Sequence, residues 1–246
     1  MIKMTTKIVI QEGKKIPENP IVIEGFPSKG LVSTIATKYM IDELGMDAIG
    51  YIESDRMQSV AIVHNSKPMH PVRIYTKDKL VLIFSELVVP ITYVSEFSKV
   101  IDEWFEDIKP EQVLLLAGIS GIETKEEHEI LGIATTKELE KKLNKLDVRR
   151  IEEGLLTGIS SDILLKCIEK NIPVISLMAE TRYMPDPLAA ASMLKILNSL
   201  LNLDIETKNL IEQGKKIEEM FKEIADQIKH GKDSHKRINE FYPMYG

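Results

Sequence analysis

The feature that most constrains this chain is an alternation, in which short apolar runs rich in β-branched residues are separated by longer segments of helical period. The strand runs are Ile21-Val22-Ile23-Glu24, Ala48-Ile49-Gly50-Tyr51-Ile52, Leu80-Val81-Leu82-Ile83-Phe84, Val113-Leu114-Leu115-Leu116-Ala117 and Val174-Ile175-Ser176-Leu177-Met178. Between them the period shifts to helical over residues 31–44, 93–107, 136–143, 160–170 and 187–203, with Pro and Gly at the junctions. Such a sequence specifies a sheet covered by helices, an α/β fold. Several of the runs are apolar throughout, as central parallel strands buried on both faces must be.

Residues 57–75 break the alternation. Met57-Gln58-Ser59-Val60-Ala61-Ile62-Val63 and Val72-Arg73-Ile74-Tyr75 flank a polar, proline-containing stretch, and the pattern predicts an antiparallel hairpin added to the sheet. Beyond Leu203 the character changes again. Residues 206–230 place Leu210, Ile217, Phe221, Ile224 and Ile228 on one face of an amphipathic helix, which packs either on its own domain or on an oligomer partner. The organisation expected is therefore an α/β core over residues 1–205, an amphipathic helix over 206–230, and a tether with a terminal docking motif over 231–246.

With 246 residues and 43% hydrophobic content the chain can bury one substantial core. Its 32 basic residues are dispersed among 38 acidic ones for a formal charge of -6, which gives no electrostatic reason to bind nucleic acid or an anionic membrane. The first eight residues lack the apolar core of a signal peptide and no later run reaches transmembrane length, so the expected compartment is the cytoplasm. Cys167 is the one cysteine, so no disulfide can form within the chain, and its apolar neighbours mark it as a small buried hydrophobe.

A search for chemistry yields few candidates. The turn Gly25-Phe26-Pro27-Ser28-Lys29-Gly30 follows a strand and opens a helix, where α/β folds bind phosphate through backbone N–H groups. It lacks both the three-glycine dinucleotide fingerprint and the Gly-Lys-Ser/Thr ending of a phosphate loop, so it is either a structural tight turn or a ligand loop of another kind. Glu180 and Arg182 follow a strand end, where they either line a ligand crevice with Gly25 and Gly30 or form an ion pair that holds the loop. The histidines at 64, 70, 128, 230 and 235 form no helical metal pair, and no metal or other cofactor is expected. Gly158-Ile159-Ser160-Ser161 lacks the second glycine of a nucleophile elbow, and Ser160 or Ser161 is better explained as a helix N-cap. The carboxylate-rich run Glu123-Thr124-Lys125-Glu126-Glu127-His128-Glu129 is expected to be a solvated loop or helix start. No catalytic residue is assigned.

Taken in order, several segments resemble the proteasome assembly chaperone 2 family, especially its archaeal members. They are Glu24-Gly25-Phe26-Pro27-Ser28-Lys29-Gly30-Leu31-Val32, Pro71-Val72-Arg73-Ile74-Tyr75, Gly118-Ile119, Leu156-Thr157-Gly158-Ile159-Ser160, Met178-Ala179-Glu180-Thr181 and Pro185-Asp186-Pro187-Leu188-Ala189-Ala190-Ala191. The resemblance spans residues 18–215 and departs from the family at Ser28-Lys29, where members often carry a second small residue. It implies a three-layer helix/sheet/helix domain similar to nucleoside phosphorylases, no established catalytic centre, and homo-oligomeric assembly as a tetramer or pentamer.

The resemblance also gives the terminus a meaning. The polar stretch His230-Gly231-Lys232-Asp233-Ser234-His235-Lys236-Arg237 is followed by a return to apolar and aromatic residues that ends in Met244-Tyr245-Gly246. In archaeal assembly chaperones and activators a hydrophobic-Tyr-X terminus enters pockets between proteasome α-subunits, and Met244, Tyr245 and Gly246 match it residue by residue. Met244 supplies a flexible apolar stem, Tyr245 an aromatic body with a polar tip, and Gly246 a carboxylate for a lysine. The expectation is a non-enzymatic assembly factor for proteasome α-subunits or the core particle, acting through its own tails or as an adaptor with another protein. One alternative is an enzyme that binds a nucleoside, nucleotide or phosphate, of nucleoside-phosphorylase or ATP-dependent-ligase type. Another is an oligomeric scaffold whose tail packs on its own body.

Overall fold

A computed structural model of the chain describes residues 6–55, 60–120 and 128–215. In chain order its strands are β1 (Thr6–Ile10), β2 (Ile21–Gly25), β3 (Asp47–Ser54), β4 (Ile62–His64), β5 (Lys67–Met69), β6 (Val72–Lys77), β7 (Leu80–Ser85), β8 (Gln112–Ser120), β9 (Ile130–Ala134), β10 (Arg149–Arg150) and β11 (Val174–Thr181). The helices are α1 (Val32–Glu43), α2 (Val94–Ile108), α3 (Lys137–Lys145), α4 (Ile159–Glu169) and α5 (Pro187–Leu201), and residues 208–215 are helical again.

Nine strands form one mixed sheet in the order β1-β3-β6-β7-β2-β8-β11-β9-β10. The centre is parallel: β2 lies between β7 and β8, and β11 continues the parallel set beyond β8. These are the runs that are apolar on both faces. In β7, Leu82 and Phe84 enter one core while Val81 and Ile83 enter the other, and in β8 Leu114 and Leu116 alternate with Val113 and Leu115 in the same way. One core is closed by α1, α5 and α3, the other by α2 and α4, giving three layers. Each fully buried Leu, Ile or Phe contributes ~1.5–3 kcal/mol relative to exposure, so these two faces dominate the stability of the body.

The interrupted region differs from the expected hairpin. The ribbon pairs β4 with β5, while Val72–Lys77 joins the main sheet as β6, antiparallel to both β3 and β7. The reason lies in two short turns. Asn65 and Ser66, both at positive φ, close the ribbon between His64 and Lys67, and a second turn beginning at Asp78, φ 51°, closes β6 onto β7. Residues 57–59 lie outside the described residues.

Four strands escape the sequence reading: β1 is a short edge strand, β5 lies in the polar stretch of the interrupted region, β9 follows the carboxylate-rich run, and β10 is an edge pair of arginines. Helix α3 starts as expected, with Thr136 accepting from the Leu139 N–H. Helix α4 does not. Its N-cap is Gly158 at φ 92°, with no side-chain cap, and the Ser160 hydroxyl is engaged elsewhere. The amphipathic segment after Leu203 packs Leu210 into the core beneath α1 and α5, and Gly214 passes so close to Leu188 that a Cβ there would lie 2.7 Å from its side chain. Ile217, Phe221, Ile224, Ile228, the tether and Met244-Tyr245-Gly246 lie outside the described residues.

Candidate functional site

The segments that carry the family resemblance converge at the C-terminal ends of β2, β8 and β11. Their meeting is enforced by missing side chains. A Cβ on Gly25 would come within 2.4 Å of the Thr37 side chain, and one on Gly118 within 1.9 Å of the Lys29 carbonyl oxygen. Gly30 adopts φ 66°, and a Cβ there would lie 2.2 Å from Thr181 Oγ1. The β2 turn is thus clamped between β8 and β11.

Polar groups complete the clamp. Ser28 Oγ accepts from the Gly118 N–H at 2.9 Å and lies 2.7 Å from Ser33 Oγ, while Lys29 Nζ donates to Ser120 Oγ. The Phe26 N–H donates to Glu24 at 2.8 Å and the Leu31 N–H to the Ser28 carbonyl at 2.9 Å. The Phe26 and Leu31 N–H groups are thus satisfied within the protein.

Asp186 ties β11 and α5 to this turn. One of its oxygens accepts from Thr181 Oγ1 at 2.8 Å and the Arg182 N–H at 3.0 Å, and the other accepts from the Ala189 N–H at 3.0 Å as the N-cap of α5. Its own N–H donates to the Gly30 carbonyl at 2.8 Å. Of the expected crevice residues, Gly25 packs on Thr37 and Gly30 on Thr181. Glu180 is held by its backbone between the Glu129 carbonyl and His128 Nδ1, and Arg182 is exposed. No ion pair joins Glu180 to Arg182 among the described residues.

Glu24 is the chemically loaded member of the cluster, and sequence reasoning treated it only as the end of a strand. It is 1% exposed, with one carboxylate oxygen accepting from Phe26 N–H and the other from Ser160 Oγ at 2.8 Å. Burial pushes its carboxyl up to about 7, against the lowering effect of those two hydrogen bonds. No cation pairs with it among the described residues. The signal available in the sequence was a lone carboxylate closing an apolar run, Ile21-Val22-Ile23-Glu24. Asp186 was likewise legible as an acid before Pro187, a residue that favours the first turn of a helix.

Cys167 is 1% exposed and burial pushes its thiol up to about 12, so it sits in α4 as the buried hydrophobe its neighbours suggested. Among the described residues no cluster of three or more His, Cys, Asp or Glu side chains is arranged to hold a metal ion, and no helix is long and apolar enough to cross a membrane. Around the clamp, the loops at this edge of the sheet expose apolar side chains: Val88 and Ile91 after β7, Leu155 before α4 and Met184 after β11.

Comparison with known proteins places this architecture. PbaA of Pyrococcus furiosus, described as an archaeal homolog of proteasome-assembly chaperone, superposes with a TM-score of 0.82 at 29% identity, covering 98% of this chain and 100% of that one. PbaB of the same organism, described as an archaeal proteasome activator, shares the fold with a TM-score of 0.78 at 24% identity over 90% of this chain and 99% of its own. An uncharacterized protein of Methanocaldococcus jannaschii is 32% identical over 237 residues, 96% of this chain and 97% of the relative. The model of the PAC2 family matches residues 22–225, which include the clamped turn, β8, β11 and α5, and the chain therefore belongs to the PAC2 family.

Proposed function

We propose that this protein is a non-enzymatic assembly factor of the proteasome, a homo-oligomer that binds α-subunits or the core particle through Met244, Tyr245 and Gly246. The observation that carries the reading is the likeness to PbaA along almost the whole chain, at 29% identity and a TM-score of 0.82. The clamp supports it from the chemical side, because its polar groups are largely spent on one another: Asp186 serves three donors, and Glu24 is held by an N–H and a hydroxyl. Rigid joining of β2, β8 and β11 suits a body that presents a docking segment.

The tail mechanism is binding alone. Residues 231–246 are polar, then apolar, and when extended they reach at most ~55 Å, enough for a tip to sample a pocket away from its own body. A tip that binds the interface between two α-subunits stabilises the joined pair over the separate subunits by mass action, without nucleotide hydrolysis. Several such tips on one oligomer act as a multivalent ligand.

The test is capture of α-subunits or assembled core particle by the full chain and by a chain lacking residues 244–246. Capture that is lost with the tip supports the reading. Equal capture by both chains removes the tip from the mechanism, and failure of both rejects the assembly role.

A further inference from the structure

Beside the clamp, on the α5 side of the sheet, a cleft of about 420 Å³ opens between α5, the start of β9 and the turn from α3 to β10. Its volume lies within the range of small-molecule sites, roughly 300–1,000 Å³. The two walls carry opposite charge. Ser192 and Lys195, one helical turn apart on α5, form one wall, and Glu129 and Asp147 form the other, with Ile130 and Ile196 supplying apolar surface between them.

Two of these charges are uncommitted. Glu129 is paired with Arg149 at 3.1 Å, but neither Lys195 nor Asp147 forms an ion pair with another described residue. Asp147 is held in the turn by a positive φ of 53°, which fixes its place on the rim.

His128 also lines the cleft, with a side chain only 6% exposed. Its Nδ1 lies 2.8 Å from the Glu180 carbonyl oxygen, which can only accept, so Nδ1 carries the proton. That leaves Nε2 without a short partner. Its nearest acid, Asp186 Oδ1, is 3.5 Å away and already accepts the Ala189 N–H. With Nδ1 protonated, Nε2 is the acceptor that His128 offers to a polar group entering the cleft.

We infer that this cleft is a binding site for a small zwitterion with an apolar body, of amino-acid or dipeptide size. The anionic group of the ligand meets Lys195 and Ser192, the ammonium group meets Asp147 and Glu129, the apolar body lies on Ile130 and Ile196, and a polar group of the ligand reaches His128 Nε2. Opposed walls select against a simple anion or a simple cation, because either would face an uncompensated like charge. The site is independent of the tail and of the proteasome reading.

The experiment titrates the full chain with L-leucine and with the dipeptide Leu-Leu, following binding by calorimetry and by chemical shifts in a two-dimensional NMR spectrum. N-acetyl-leucine amide, uncharged at both ends, serves as the comparison. Binding of at least one zwitterion, with shifts centred on residues 128–130, 147–148 and 192–196, is the result expected. Loss of one charge-assisted contact corresponds to ~10- to 100-fold weaker binding, so Lys195→Glu and Asp147→Asn should each weaken it by that factor. Lys99→Glu, at an exposed lysine on α2, should leave it unchanged. Both substituted cleft positions are exposed, and equal melting temperatures show that the variants fold. No binding of either zwitterion at 10 mM (roughly the weakest affinity worth assigning to a site), equal binding of the uncharged analogue, or undiminished binding by Lys195→Glu overturns the proposal.

Discussion

Replacing Glu24 by Gln should make the protein more stable at alkaline pH while leaving its structure intact. The Glu24 carboxyl is buried between the β2 turn and α4, and its ordinary value of 4.5 is raised to about 7. Below about 4.5 the group is protonated in both the folded and the unfolded chain and has no effect on the balance. Between there and about 7 the unfolded chain releases the proton and the folded chain keeps it, so stability falls as pH rises. Above about 7 the folded protein holds a buried charge and the loss is complete. At ~1.4 kcal/mol per pH unit the full effect is about 3 kcal/mol, of which roughly 2 to 3 kcal/mol develops between pH 5 and 8.

Gln is the right probe because it copies the protonated state. Its oxygen can accept from the Phe26 N–H while its amide donates to Ser160 Oγ, so both hydrogen bonds survive without the charge. Other carboxylates stabilise the fold as pH rises and mask the trend in the wild-type curve, so the quantity to measure is the difference between the two proteins. Urea denaturation at pH 5, 6, 7 and 8 should show Glu24→Gln gaining on wild type by roughly 2 to 3 kcal/mol across the series, most of it below pH 7 and levelling off above about 7. Parallel curves for the two proteins would refute the claim that this carboxylate is buried without a countercharge.

Three further outcomes follow from the packing. Gly30→Ala forces a Cβ onto Thr181 at a backbone angle of φ 66°, and should lower unfolding free energy by ~2–4 kcal/mol in denaturant titration. Asp186→Ala leaves the Thr181 hydroxyl and the Arg182 and Ala189 N–H groups without their acceptor and should cost ~2–4 kcal/mol, with Asp186→Asn recovering part of it; calorimetric melting distinguishes the two. Glu86→Gln removes the charge facing Arg73, which is 3% exposed and paired with it at 2.6 Å; a loss of ~3 kcal/mol is expected by the same titration, since a buried guanidinium is left uncompensated.

The parts of the fold that were legible in the sequence are those where burial on two faces writes a continuous apolar run. The runs at 21–24, 80–84, 113–117 and 174–178 all became adjacent central strands, and the five helices expected between residues 31 and 203 formed within a few residues of their forecast ends. Strands held by one neighbour left a fainter trace: β10 is the exposed pair Arg149-Arg150, whose pairing is set by β9 rather than by its own composition. The ribbon was misread because Asn65-Ser66 turns the chain in two residues, which the surrounding polar stretch concealed.

The site was legible in another way. The glycines at 25 and 30 announced a turn, but only the three-dimensional positions of Thr37 and Thr181 explain why no side chain fits. Ser160 looked like a helix cap because of its place in the chain; its partner, Glu24, is 136 residues away and cannot be read from local pattern. Asp186, Thr181 and Gly30 likewise meet through tertiary contacts.

The central claim is that this PAC2 protein engages proteasome α-subunits. Native mass spectrometry of the full chain mixed with purified α-subunits tests it most directly, because it weighs the complex and counts both components. The account predicts a mixed complex containing several copies of each, lost when residues 244–246 are removed. A spectrum showing only the separate species, at concentrations where the chain itself is intact, would contradict it.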